Sequence, residues 1–165
     1  SLPLNLTLKE LGGEDTLCME PVDELEALRG EPLVSLQNVS IAAANSALAT
    51  LSNEALLDVA IRVRPASNTM LSATFRQDQF VFDASTKVLS HNQSSSLKSQ
   101  VELHPGATLP FRFLIDRGMI DSFWNGGEAR YSIGSLYEAS GSALVLEGDA
   151  VVEELTVWPM SDIWE

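Results

Sequence analysis

The sequence predicts an all-β protein, an antiparallel two-sheet β-sandwich with one short N-terminal helix. Three observations carry that expectation. Apolar residues recur at every second position in short runs, the clearest being Leu57, Val59, Ile61 and Val63 alternating with Asp58, Ala60, Arg62 and Arg64. Turn chemistry separates the runs, as at His104-Pro105-Gly106, Asp116-Arg117-Gly118 and Asn125-Gly126-Gly127. The 165 residues, 45% hydrophobic and 20% charged, suffice for one full core.

Taken in order, Leu4, Leu6 and Leu8 alternate with Asn5, Thr7 and Lys9, the period of a half-buried strand, until Gly12-Gly13 breaks it. Pro21 suits a first helical turn, Val22, Leu25 and Leu28 are spaced three apart, and Asp23 and Glu24 fall near the positive helix end. Gly30 and Pro32 end that helix. From Leu33 onward strand follows strand. After the Leu57 run, which Pro65 closes, short runs occur at Met70 to Arg76, Gln79 to Asp83, Leu109 to Asp116, Met119 to Trp124, Ala129 to Ile133, Ala143 to Leu146 and Val151 to Trp158. Asn125-Gly126-Gly127 is the strongest local turn signal, because Asn and Gly accept positive φ. The polar stretch from Ser90 to Gln100 reads as a loop.

Charge narrows the partners. Ten Lys plus Arg face 23 Asp plus Glu, and a net charge of −13 repels phosphate backbones and anionic lipid, so neither nucleic acid nor a membrane is an expected partner. Apolar stretches such as Ala55 to Ile61 stop well short of the ~18 residues of a spanning helix. Cys18, the single cysteine, excludes an internal disulfide and a cysteine-based zinc cluster and reads as a buried or idle thiol. His91 and His104 stand beside loop residues without an accompanying nucleophile motif and read as surface histidines. No Gly-rich phosphate loop or HExxH motif occurs, so no metal and no cofactor are expected. Asn-x-Ser/Thr triplets at Asn5, Asn38 and Asn92 carry little weight in a chain this rich in serine. The opening Ser1-Leu2-Pro3, without Met or a signal segment, suggests a chain processed or excised from something longer.

The tract Leu109 to Tyr137, LPFRFLIDRGMIDSFWNGGEARYSIGSLY, is the most informative. Its two turns define three consecutive antiparallel strands with Phe111, Phe113 and Ile115 on one face. It resembles the C-terminal β-sandwich of the glycoside hydrolase family 32 fructosidases, the invertases, levanases and inulinases, at Arg112, Phe113, Asp116, Arg117, Phe123, Asn125, Gly127 and Glu128. It departs from their pattern at Gly118, usually Ser, and at Asp121, usually Glu. Leu2-Pro3 with Leu6-Thr7-Leu8 resembles the family's segment leading from catalytic propeller to sandwich, although Leu4 and Asn5 replace its Arg and Glu. Pro21-Val22, Glu24-Leu25 and Leu28-Arg29 resemble the next block, and Leu155 to Trp164 the closing one.

The resemblance implies a jelly-roll or concanavalin-like sandwich at 32–165, preceded by a linker strand and short helix at 1–31 that join a catalytic β-propeller. Family catalysis rests on carboxylate blocks of that propeller, and none occurs here: Arg64-Pro65 lacks the intervening Asp, and Cys18 follows Leu17 rather than Glu. Catalytic residues are therefore expected to be absent from this chain. Two functions follow. One is a non-catalytic module that stabilises the propeller and binds fructan or a sucrose-type sugar; the other is the C-terminal part of an active fructosidase, functional only with its propeller. A large apolar patch along Leu4 to Leu8 and the first helix would favour the second. A lectin of independent origin is a third. The family resemblance favours an extracellular or secreted setting.

The candidate sugar contacts are Asp116, Arg117 and Asp121, whose carboxylates and guanidinium match the donor and acceptor sides of vicinal hydroxyls. Trp124, Asn125 and Glu128 form a second set, with Trp124 either an exposed stacking surface or a core residue. The two turns close opposite ends of one strand, about 20 Å apart at ~3.3 Å per residue, so a small sugar cannot touch both. The structural alternative, turn and ladder support, takes precedence for these polar residues. Trp158 and Trp164 are expected to pack the tail against the sandwich or the propeller.

Overall fold

The computed structural model describes residues 2–51, 56–92, 97–117, 119–134 and 144–161. The strands are β1 (Leu4–Leu11), β2 (Glu14–Pro21), β3 (Val34–Ser40), β4 (Leu56–Pro65), β5 (Met70–Phe75), β6 (Asp78–Asp83), β7 (Val88–His91), β8 (Lys98–Gln100), β9 (Leu109–Asp116), β10 (Met119–Trp124), β11 (Ala129–Gly134), β12 (Val145–Glu147) and β13 (Ala150–Pro159). One sheet has the order β11-β10-β9-β4-β13-β3, the other β12-β5-β6-β7-β8, and β1-β2 form a separate hairpin. The pairings are antiparallel, as alternating, one-face-buried strands require. The expected two-sheet sandwich is the fold.

The core lies between the two large sheets. Leu57, Val59, Ile61 and Val63 point inward from β4, Phe111, Phe113 and Ile115 from β9, and Phe80 and Phe82 from β6, all buried. Phe80 is the hub: its ring lies 5.4 Å from Phe113, 6.1 Å from Trp124 and 5.9 Å from Tyr131. A bulge between Val152 and Glu154 in β13 shifts the register against β4 and keeps Val152, Leu155 and Val157 all in the core.

The helix content differs from expectation. The segment after Pro21 is a 3-10 helix (Asp23–Leu28) with no side-chain cap and no buried residue. The α-helix is α1 (Ile41–Leu48), where strands were expected; Ser40 Oγ accepts from the Ala43 amide at 3.3 Å, and Ala44 and Leu48 are buried. An alanine-rich run after a serine cap favours helix, and Ile41, Ala44 and Leu48 give it an inward stripe. Asn45 fastens the helix to the other sheet by bonding both backbone groups of Leu146, at 2.8 and 2.9 Å. The stretch 90–100 is not wholly a loop either, since Ser90 and His91 end β7 and Lys98–Gln100 is β8.

Segment 2–31 is strapped to the sandwich. The Met19 amide donates to Gly127 O at 3.0 Å, Gly30 to Pro159 O at 2.9 Å, and Ser161 to Leu28 O at 2.8 Å. Gly127, at φ +80°, permits this approach, because a Cβ there would collide with the Met19 main chain.

Candidate functional site

The β9–β10 turn positions the first set of candidates. Arg117 sits at φ +45°, its carbonyl accepts from Arg76 Nη1 at 2.6 Å, and its Nη1 lies 3.3 Å from Asp116 Oδ1. Asp121, paired with Leu114 across β9–β10, is buried and accepts from Arg130 Nη2 at 2.7 Å. Asp116, Arg117 and Asp121 border one cleft of about 340 Å³, whose other walls include Leu25, Leu28, Met119 and Met160. The structure thus brings the three together, over an apolar floor and with one carboxylate already committed to an arginine.

The second set is structural in geometry. Trp124 is fully buried, stacked on Phe111 at 4.4 Å and edge-on to Phe113 at 5.8 Å, so its indole offers no face to a ligand. Parity along β10 decides this: Ile120, Ser122 and Trp124 point into the core. Asn125 Nδ2 donates to Glu102 O at 2.9 Å and Glu128 Oε2 accepts from Glu102 N at 2.7 Å, so the two side chains clamp one residue of the chain between β8 and β9. Trp158 packs against the Arg29 guanidinium, 4.0 Å from the ring centroid; Trp164 lies outside the described residues.

His91 is a correction. It is buried, with Nε2 3.0 Å from Asp78 Oδ1 and its ring 5.2 Å from Phe80, because it occupies an inward position of β7 opposite Phe80. His104 is exposed. Cys18 is buried, and burial raises its thiol pKa, which leaves it a poor nucleophile. Burial likewise raises the Tyr131 phenol, whose hydroxyl lies 3.2 Å from Leu89 O. Among the described residues no group of His, Cys, Asp and Glu is arranged to hold a metal ion. No described helix is long and apolar enough to cross a membrane.

Two features escaped the sequence reading. Asp58 is fully buried beneath two arginines, with Oδ1 2.8 Å from Arg112 Nε and Oδ2 2.6 Å from both Arg112 Nη2 and Arg29 Nε. Glu26 completes the network at 2.8 Å from Arg29 Nη1. The other is the β1–β2 hairpin, which turns its polar face inward. Cys18, opposite Thr7, is buried and Lys9 reaches Gly126 O at 3.2 Å, whereas Leu6, Leu8 and Leu17 are 63%, 65% and 46% exposed. The period-2 alternation is present as expected, but the leucines are not covered by this chain.

No protein-family model matches the sequence, and no curated protein matches it. The fold does have counterparts, and they define first a class, the antiparallel β-sandwiches. An exo-inulinase from Aspergillus awamori superposes on 99% of this chain with a TM-score of 0.72 at 11% identity, using 36% of its own length. A glycoside hydrolase family 32 protein from Bifidobacterium adolescentis covers 100% of this chain with a TM-score of 0.63 at 16% identity, using 26% of its length. Fructan 1-exohydrolase IIa from Cichorium intybus covers 95% with a TM-score of 0.61 at 16% identity, using 40% of its length. More particularly, then, the chain has the fold of a partial module of family 32 enzymes, and spans about a quarter to two fifths of their length.

Proposed function

We propose that this chain is the non-catalytic β-sandwich module of a fructosidase of the family 32 type, and that it works docked to a catalytic β-propeller. The observation that carries the reading is the inverted hairpin: Leu6, Leu8 and Leu17 form an apolar face open to solvent, while the opposite face, with Cys18 buried and Lys9 bonded to Gly126 O, is turned toward the sandwich. Exposed leucines on a two-stranded ribbon are a liability that a partner surface removes, at about 1.5–3 kcal/mol for each fully covered side chain. This favours the module as one part of an active enzyme over a free-standing binding module. The likeness to a fraction of longer fructosidases supports the same partner.

The test combines two assays. The purified chain is incubated with sucrose, inulin and levan, and free fructose is measured; none is expected. Turnover that follows the chain through purification and disappears on changing one of its Asp or Glu residues overturns the reading. The chain is then mixed with the propeller of a family 32 enzyme from its own source, and binding is followed by sedimentation. Wild-type association that Leu8→Glu with Leu17→Glu weakens at least ~30-fold is expected, since two such contacts are worth a few kcal/mol. Equal association by both chains refutes the docking face.

Fructan contact at Asp116, Arg117 and Asp121 is the second reading, supported by their convergence on one cleft. Chemical-shift mapping with levan-type and inulin-type oligosaccharides tests it, and an unperturbed Asp116–Arg117 turn at millimolar sugar removes it.

A further inference from the structure

The outer face of the six-stranded sheet contains a hollow. Paired registers set Thr156 beside Ala60, Ala60 beside Arg112, and Arg112 beside Phe123. The flanking rows carry Glu154, Arg62 and Pro110 on one side and Trp158, Asp58 and Leu114 on the other. Ala60 is the smallest side chain of this patch. Strands stand about 4.8 Å apart and same-face neighbours about 7 Å, so a methyl among larger side chains leaves room for roughly one ring. The β1–β2 hairpin and the Asp23–Leu28 turn wall this hollow into an open cleft of about 480 Å³.

Its chemistry is mixed and nearly neutral at the floor. Asp58 engages Nε and Nη2 of Arg112, leaving the Nη1 hydrogens and the second Nη2 hydrogen as donors. Arg62 and Glu154 are 4.0 Å apart with both side chains 51% exposed, a loose pair that a ligand can enter at small cost. Thr156 adds a hydroxyl, and Trp158 an indole held in place by Arg29. Alternating donors and acceptors beside an aromatic edge suit vicinal hydroxyls and the C–H faces of a pyranose or furanose ring. Glu20, Asp23 and Glu26 on the walls, with the net charge of −13, disfavour an anionic ligand.

We infer that this cleft binds a neutral polyhydroxylated ligand, one sugar ring seated over Ala60 between Arg62, Arg112 and Trp158. The site is separate from the Asp116 cleft, and the inference rests on the proposed function only for its choice of probes. The hairpin keeps the two roles apart, because its leucines face outward while Asn5, Thr7 and Glu20 face the cleft.

The experiment is a ¹⁵N-¹H NMR titration of the 165-residue chain with sucrose and 1-kestose, with sucrose 6-phosphate as the anionic arm. Saturable shifts at Ala60, Arg62 and Thr156 with Kd of about 1–10 mM are expected for the neutral sugars, and binding at least ~10-fold weaker for the phosphate. Ala60→Phe, which fills the hollow, abolishes the shifts; Arg62→Ala, at an exposed position that leaves the fold intact, weakens binding about 10-fold, the loss of one charged hydrogen bond. Shifts confined to Asp116, Arg117 and Met119 overturn the inference while leaving sugar binding at the other cleft. No saturation at either cleft overturns it and leaves the propeller docking untouched, since that has its own assay. Tighter binding of the phosphate also overturns it, by showing an anion site.

Discussion

Asp58→Asn isolates the buried charge network. The carboxylate has no solvent exposure, and the Arg29 and Arg112 side chains that share it are only 15% and 19% exposed. The amide keeps the volume but removes the charge, and its NH₂ must face a guanidinium, so both arginines lose their strongest partner without regaining water. Breaking a buried ion pair by removing one partner costs about 3–5 kcal/mol. Arg29 also stacks on Trp158 and keeps its contact with Glu26 at 2.8 Å, so the lower part of that range is expected. For a domain of 165 residues about 3 kcal/mol lowers Tm by roughly 6–12 °C. Urea unfolding followed by tryptophan fluorescence, with calorimetry for Tm, measures both. Asp116→Asn is the control: its partner Arg117 and Asp116 itself have side chains 53% and 66% exposed, so a change below about 0.5 kcal/mol is expected. If Asp58→Asn costs no more than that control, the network contributes no net stability and the reasoning fails.

Gly127→Ala should cost at least about 1–2 kcal/mol from the left-handed backbone alone and push β2 away, so the Met19 amide should exchange markedly faster while amides of β6 stay protected. Trp124→Ala should destabilise by about 3–5 kcal/mol through the cavity beside Phe111, Phe113 and Phe80; a near-neutral result in urea unfolding would contradict its core placement. The Asp83 carboxyl is held at about 2, against an ordinary 3.8, first by the Ser85 hydroxyl and then by Thr86 and the Ser85 amide. A depressed folded pKa adds stability that is complete above about 4 and is lost as pH falls toward 2. The difference in Tm between the parent and Asp83→Asn should therefore shrink across that window, and a constant difference from pH 5 to 2 would refute the assignment.

The legible parts of the fold were those set by local pattern. The alternation in β4, β9, β10 and β13 and the turn residues at 116–118 and 125–127 placed strands within a residue or two of their observed bounds. Period 2 depends only on the backbone pleat, so it survives without knowledge of neighbours. Helix α1 was less legible, because its inward stripe of Ile41, Ala44 and Leu48 is too short to outweigh a strand-rich context. His91 was misplaced for a related reason: which side of β7 faces the core depends on its pairing with β6.

Composition and pattern by themselves determined an acidic single sandwich with three consecutive strands around Met119 to Trp124, because charge count and residue parity are properties of the chain alone. Only the tertiary structure decided what each polar residue does. Asp58 sits at an outward position of β4 indistinguishable by parity from Arg62 and Arg64, yet it is wholly buried while they are exposed. The difference arises from the strap of residues 22–30, which brings Arg29 over one end of the sheet and leaves the other end open. The leucines of β1 show the converse, since an alternation that reads as half-buried becomes an open apolar face once the hairpin docks by its polar side. Burial is set by what lies opposite a face, and what lies opposite is brought there by residues distant in the chain, or by another surface altogether.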